Sequence, residues 1–337
     1  MKNLLIILAV FFTVAIKAQI SSSQKLAGNL KEIKKENFEY FKNTTTIFIL
    51  SNVFEKEQYE SILKNNWTVT PYEIVDINEL DRTKYLNGKY SFAELQAYSS
   101  SKQKNGVRSG LISVISLINF YFINPDKLNS VKESLSKLKK AKKNYQEKSR
   151  NIFSKNKERV ADIFLAPNGE LLRSLYKNDG VGEKSLFSKD LFVNYKLGYL
   201  KNYFQKVSSL ISENKSYWLY AQDFLPELKK LKENTLIISK YQKLFINRKK
   251  ADKFEALMED YDYEYDVKEE EEINQKILDG EEFYYLNFTR INSGARIINI
   301  FNSKSGEIVL RHHLNPGMKF TLTKKQIQFI NKSVNSL

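Results

Sequence analysis

Polar and apolar positions alternate with two periods along this chain, near two and near 3.6 residues, and the changes of period mark its elements. Residues 45–50, TTIFIL, form a bounded β-branched run that predicts a buried strand. Asn52 followed by Glu55 reads as a helix cap. Residues 54–64 then place Tyr59, Ile62 and Leu63 on one helical face, and Asn65 and Asn66 end that helix. Residues 70–77 predict a second strand, and Asp76 with Glu79 caps a second helix in the same way. Gly88 stops it, because glycine takes the left-handed conformation past a helix end. Residues 90–98 and 111–122 read as strands joined by a Ser/Lys/Gly loop. Residues 19–42, with Leu26, Leu30, Ile33, Phe38 and Phe41, predict a leading helix.

A similar order returns after residue 233. Leu236 to Ile238 is an apolar run, residues 251–259 are helical, and Tyr263-Glu264 is placed in a strand. Asp266 with Glu269 caps a helix carrying Ile273, Ile277 and Leu278, Gly280 stops it, and residues 283–291 form a strand. From Asn43-Thr44 to Tyr72-Glu73 is 29 residues, and from Asn234-Thr235 to Tyr263-Glu264 is 29 again. Equal order at equal spacing predicts a duplicated unit; the alternative is ordinary reuse of caps and turns. Residues 296–302 and 307–312 flank Ser303-Lys304-Ser305-Gly306, a hairpin turn.

The stretch 261–272, YDYEYDVKEEEE, fits a metal site, an acidic docking patch, or a strand running into a helix. Its tyrosines and Val267 alternate with Asp262, Glu264 and Asp266, which puts rings on one face of a strand and acids on the other. A calcium loop would need a central glycine and turn. The following glutamates suit a helix start, where negative charge meets the positive end of the dipole.

The region between the two units reads differently. Leu128, Val131, Leu135, Leu138 and Tyr145 recur at helical spacing, residues 161–165 are a strand, and Pro167 to Gly169 a turn. Val193, Leu197, Leu200, Phe204, Val207 and Ile211 define an amphipathic helix from a cap at Ser188 to Asn214. Gly198 inside it points to close helix packing, and Pro226 to a first helical turn. The expectation is an α/β fold: two related strand-helix-strand-helix-strand units with mixed sheets, joined by a mainly helical basic region. Its divisions are 1–18, 19–123 with the leading helix, 124–233, and 234–337 with a C-terminal hairpin.

The first residues, MKNLLIILAVFFTVAIKAQ, carry a lysine, an apolar run from Leu4 to Ile16 and the small Ala18 before Gln19. This is the pattern of a secretory signal cleaved between Ala18 and Gln19. The run is shorter than the roughly 20 apolar residues a membrane span needs. No other segment reads as a span, so a periplasmic or secreted protein is expected. Cysteine is absent, so packing alone holds the core.

Net charge is +15, with twelve Lys/Arg against three Glu in residues 127–159. That segment, through Lys139, Lys140, Lys142 and Lys143, is the candidate contact for a phosphate-bearing or acidic polymer. Few aromatics interleave with it, so base stacking is not supported and nucleic acid is a disfavoured partner. A solvated basic helix face is the plainer reading.

Candidate chemistry is sparse. The only histidines, His312 and His313, are adjacent and so face opposite sides of a strand. With no cysteine and no separated histidine, neither nucleophilic triads nor histidine-rich zinc sites are supported. The glycines of residues 178–185 miss the P-loop spacing because Glu183 intervenes. Residues 216–220, SYWLY, fit either a glycan platform or core, and Glu281 with Glu282 fits one of many acidic pairs. No catalytic, cofactor-binding or metal-ligating residue is assigned.

The signal ending KAQ, with TTIFILSNVF, NYKLGYLKNYFQ, FYYLNFTRINS and NSKSGEIV, resembles exported proteins of the Bacteroidota type. The resemblance spans most of the chain and implies no activity. The strand-helix-strand unit is similar in architecture to the N-terminal domain of TolB-like periplasmic proteins, which supplies no functional residue. The expected function is a non-enzymatic binding or scaffold component of the cell envelope, contacting an envelope protein or an anionic polymer. The alternatives are a carboxylate-based glycan hydrolase, needing two acids roughly 5–9.5 Å apart in a pocket, and a polyanion-binding protein acting through residues 127–159.

Overall fold

The computed structural model describes residues 19–25, 30–104, 107–138, 145–176, 183–241, 252–290, 296–314 and 322–337. Ala18 and the four lysines 139, 140, 142 and 143 lie outside the described residues.

Two six-stranded mixed sheets are built to one plan. The first has the order β1 (Ile20–Ser21), β6 (Lys157–Phe164), β5 (Val107–Ile123), β4 (Tyr90–Lys104), β2 (Thr45–Ile49), β3 (Tyr72–Ile74). The second has β7 (Asp223–Phe224), β12 (Ile308–Leu314), β11 (Arg296–Asn302), β10 (Tyr284–Arg290), β8 (Leu236–Ser239), β9 (Tyr265–Lys268). In both, the strand next to one edge, β2 or β8, runs parallel to both neighbours and the remaining pairs are antiparallel. The chain is therefore an α/β protein of two related units. Sheet one also takes β6 from within the segment read as a connector, and sheet two takes β7.

Register shows which residues correspond. Thr46 lies beside Tyr72 and Ser91, and Leu236 beside Tyr265 and Tyr284. The step from third to fourth strand of each unit is thus the same, whereas the crossover before it is three residues longer in the second unit. Tyr72-Glu73 and Tyr263-Glu264 are therefore not counterparts, and the latter precede the strand instead of lying in it. The equal 29-residue spacing pointed to the two related units through a pair of residues that do not correspond.

Other boundaries moved for local reasons. Ile20–Ser21 is an edge strand, so the leading helix shrinks to α1 (Lys35–Lys42). Helix α2 (Lys56–Leu63) is capped by Glu55, which forms a capping box with Gln58, while Asn52 donates to Asp76 instead. The residues after Asp76 form only a turn and the short 3-10 helix Arg82–Tyr85, where the Asp81 side chain accepts from the Thr83 amide. The helix after β9 is α9 (Glu270–Leu278), with Glu269 and not Asp266 at its N-cap. The Ser/Lys stretch read as a loop is strand, paired from Gln96↔Leu117 out to Lys104↔Val107. Gly88 and Gly280 both hold φ near +80° as expected.

Between the two sheets lies α7 (Leu197–Ser212), which starts at Leu197 with Lys196 as N-cap and ends before the left-handed Asn214. Its Phe204 meets Phe48 of sheet one at 5.5 Å, while Tyr199 stacks on Tyr285 of sheet two at 5.5 Å. Gly198 is required by close packing: a Cβ there would lie 2.7 Å from the Asn274 carbonyl of α9. Asn274 also accepts the Gly198 amide at 2.7 Å, satisfying one free donor of the α7 start.

The far face of sheet one packs through Phe92 on Phe153 of α4 (Tyr145–Asn156), which follows α3 (Leu128–Ser136). Helices α5 (Gly169–Tyr176) and α6 (Glu183–Ser188) lead into α7. The far face of sheet two packs on α8 (Asp252–Met258) and α10 (Lys324–Asn335) through Ile298, Ile300, Phe254 and Ile330. Tyr261, Tyr263, Tyr265 and Val267 face this core while Asp262, Glu264 and Asp266 are exposed, the alternation expected of a strand. Tyr217, Trp218 and Leu219 are buried, which fits the core reading of residues 216–220, while Ser216 and Tyr220 are part-exposed.

Candidate functional site

Sheet one carries a buried carboxylate that the sequence did not single out. Glu94 of β4 is fully buried. Arg82 reaches its Oε1 at 2.6 Å, the Arg150 Nε reaches the same oxygen at 2.9 Å, and the Tyr121 hydroxyl donates to Oε2 at 2.6 Å. Burial alone would raise this carboxyl. The Arg82 and Arg150 charges and the hydrogen bonds from Arg82 and Tyr121 outweigh it and hold Glu94 far below the usual carboxylate range. Phe153 and Phe187 cover the two guanidinium groups at 5.2 and 5.7 Å.

The cluster continues across the sheet. Glu94 stands opposite Asn119, and Asn119 opposite Asp162, to which it donates at 2.7 Å. Arg159 pairs with Asp162. The Lys157 ammonium donates to Asn119 and, at 3.3 Å, to Gln96, and lies 4.8 Å over the Tyr121 ring. Burial, helped by the Arg159 charge, pushes Lys157 down to about 8, against the pull of Glu94 and Asp162. Three cations of the basic segment, Arg150, Lys157 and Arg159, are thus used inside the protein.

Sheet two repeats this row at the matching register. Glu94 is three residues past Ser91, and Asn287 is three past Tyr284. Asn287 stands opposite Asn299, Asn299 opposite Arg311, and Arg311 opposite Asp223, to which its Nη2 donates at 2.7 Å. Asn287 donates to the Tyr203 hydroxyl of α7 at 2.9 Å. Both units therefore carry polar side chains across strands four, five and six on one face. Such residues satisfy one another and fix register.

Two clefts of the first unit hold open space. One, of about 220 Å³, lies past the carboxyl ends of β2 and β3 and is lined by Asn52, Phe54, Glu55, Tyr59, Asp76 and Glu79. After β2 the chain enters α2 on one face of the sheet; after β3 it passes to the Arg82 turn on the other. Loops that part to opposite faces leave a crevice, the general ligand position in open α/β sheets. Asp76 accepts from Asn52 and twice from Asn78 at 2.7–2.8 Å, and Glu55 is held in the α2 capping box. Phe54 lies parallel to Tyr195 at 6.0 Å, and Tyr59 bonds Tyr195 at 2.8 Å, so the wall is tied to the segment entering α7. The other cleft, about 410 Å³, lies at the α1 start and is lined by Lys31, Lys34, Asn37, Phe122, Asp126 and Glu158.

Gln19, at the expected cleavage junction, is buried and donates to the Phe164 carbonyl at 3.0 Å. His312 stacks on Phe329 and His313 packs on Tyr220, on opposite faces as their adjacency required. Glu281 and Glu282 each meet a lysine, Lys276 and Lys304. Among the described residues no group of three His, Asp or Glu is placed to hold a metal, and no helix is long and apolar enough to cross a membrane. No known family model matches the chain, and no curated protein and no solved structure matches it.

Proposed function

We propose that the protein is an exported, non-enzymatic binding or scaffold component of the cell envelope whose ligand occupies the cleft between β2 and β3. The carrying observation is the position of that cleft, at the point where the loops of two parallel strands part. Its chemistry selects the ligand class. Glu55, Asp76 and Glu79 outnumber Lys56 along the walls, and Phe54 and Tyr59 supply ring surface. Carboxylates beside aromatic rings suit an organic cation. A volume of about 220 Å³ holds roughly seven waters' worth of ligand, the size of a small amine or a lysine head group.

Titration calorimetry with putrescine and lysine as probes, and acetate as control, tests this. Saturable heat with the amines, lost in Asp76→Asn/Glu79→Gln, is expected. Equal response to acetate, or amine binding unchanged in the double variant, would overturn the cleft assignment. The polyanion reading of residues 127–159 names Lys139, Lys140, Lys142 and Lys143, which lie outside the described residues; of the same segment Lys127, Lys132, Lys148 and Lys155 are exposed. It is weakened by Arg150, Lys157 and Arg159, which are drawn inward. The hydrolase reading gains nothing from Glu94, whose oxygens are taken by two guanidinium groups and a phenol.

A further inference from the structure

Strands β4 and β5 outrun the sheet that holds them. The β2 partner stops at Glu94, and the β6 partner starts at Leu117. Beyond these rungs, among the described residues, the two strands pair only with each other from Ala97↔Ser116 to Lys104↔Val107, apart from the Leu165 amide that donates to the Ser116 carbonyl at 2.8 Å. At about 3.3 Å per residue this ribbon is roughly 25 Å long. Past Ser116 no third strand among the described residues pairs with either edge, and a lone two-stranded ribbon is marginally stable in water. Lys102, Lys104 and Arg108 sit at its last rungs, and no carboxylate occurs between Glu94 and Asp126.

The opposite feature stands on sheet two. Among the described residues β9 is the outermost strand of its sheet, paired to β8 alone. Residues 255–272 hold ten acids and one lysine within a chain of net charge +15. Asp262, Glu264, Asp266 and Glu269 are exposed along that edge.

We propose that the basic ribbon of one molecule lies along the acidic β9 edge of a second copy and adds strands to its sheet. Main-chain hydrogen bonds to an open edge supply affinity, and the opposed charges set partner and direction. Because ribbon and edge are different surfaces, the contact is heterologous and repeats from copy to copy. This assembly is independent of the cleft and its ligand.

Sedimentation velocity of the full chain at 50 and 500 mM salt is the test. Association rising with concentration at low salt, and weakened at least tenfold at high salt, is expected. Lys102→Glu/Lys104→Glu/Arg108→Glu should be monomeric, and so should Asp262→Lys/Glu264→Lys/Asp266→Lys. Mixing the two variants should restore association, because each then offers a surface complementary to the other. A wild-type chain monomeric at low salt, or oligomers unaffected by either variant, overturns the proposal. So does a monomer whose ribbon lysines and arginine instead bind heparin, which would assign the ribbon to an anionic polymer. Circular dichroism of each variant separates loss of contact from loss of fold.

Discussion

Replacing Glu94 by Gln keeps the shape of the side chain and removes its charge from between Arg82 and Arg150. Arg82 is fully buried and cannot turn to water, so the variant leaves a guanidinium charge uncompensated in the core. Breaking a buried pair in this way costs about 3–5 kcal/mol. That is a large part of the roughly 5–15 kcal/mol of a typical domain. Urea unfolding followed by fluorescence should show the midpoint falling by about 1–2 M at pH 7. Trp67 in the first unit and Trp218 near the second report together. The effect depends on pH with a fixed sign. The folded Glu94 lies below its ordinary 4.5, so its contribution is complete above that value and is lost as pH falls beneath it. The gap between wild type and variant should therefore narrow on going from pH 7 to pH 3. Arg82→Met added to Glu94→Gln should recover part of the loss, since Arg150 is partly exposed and can reach solvent. A loss under about 1 kcal/mol at pH 7, or a gap that does not narrow with acid, would refute the argument.

Gly198→Ala should gain about 1 kcal/mol of helix propensity and lose about 1–3 kcal/mol to the Asn274 carbonyl, so thermal melting should show a net loss. Gly306→Ala should lose more, since φ is +70° and the added Cβ would lie 2.7 Å from the Asn202 carbonyl; chemical denaturation of both variants gives the order. Burial raises Glu270 to about 7 against the pull of Lys196, with Glu271 and Asp190 adding to the rise. Wild-type stability should then fall as pH climbs from 4.5 through 7, and Glu270→Gln should remove that slope and be more stable at pH 8. The gain, discounted for solvent screening, is about 1–2 kcal/mol. A variant whose stability follows the wild-type pH curve would show that Glu270 does not carry the effect.

Much of the fold was legible because local rules act on few residues. Gly88 and Gly280 stop their segments in the left-handed region, residues 45–50 form a buried strand, and the 3.6-residue spacing from Val193 found α7. Gly198 was an anomaly in that helix, and its explanation by close packing held. What could not be read are properties of partners distant in sequence. Glu94, Asn119 and Asp162 look like solvent-facing strand positions, since alternation alone marks every second residue as outward. They are buried because helices cover both faces of the sheet, which only tertiary structure reveals. Asn52, Asp76 and Glu79 carry cap signatures, and the structure spends the first two on each other. The cleft they line depends on which way two loops turn, and no spacing encodes that. Within the basic segment, Arg150 and Lys157 belong to the interior by partnership, not by hydropathy.

Sharing α7 makes the repeat inseparable. Phe204 belongs to one core, Tyr199 and Tyr285 to the face of the other sheet, and the 303–306 turn rests on Asn202 and Gln205. A cut at residue 233 would leave α7 with the first half and strip the second sheet of the surface its inner face needs. Two genes encoding the halves would therefore have to be translated together and meet as chains, and heat should melt the intact protein in one transition.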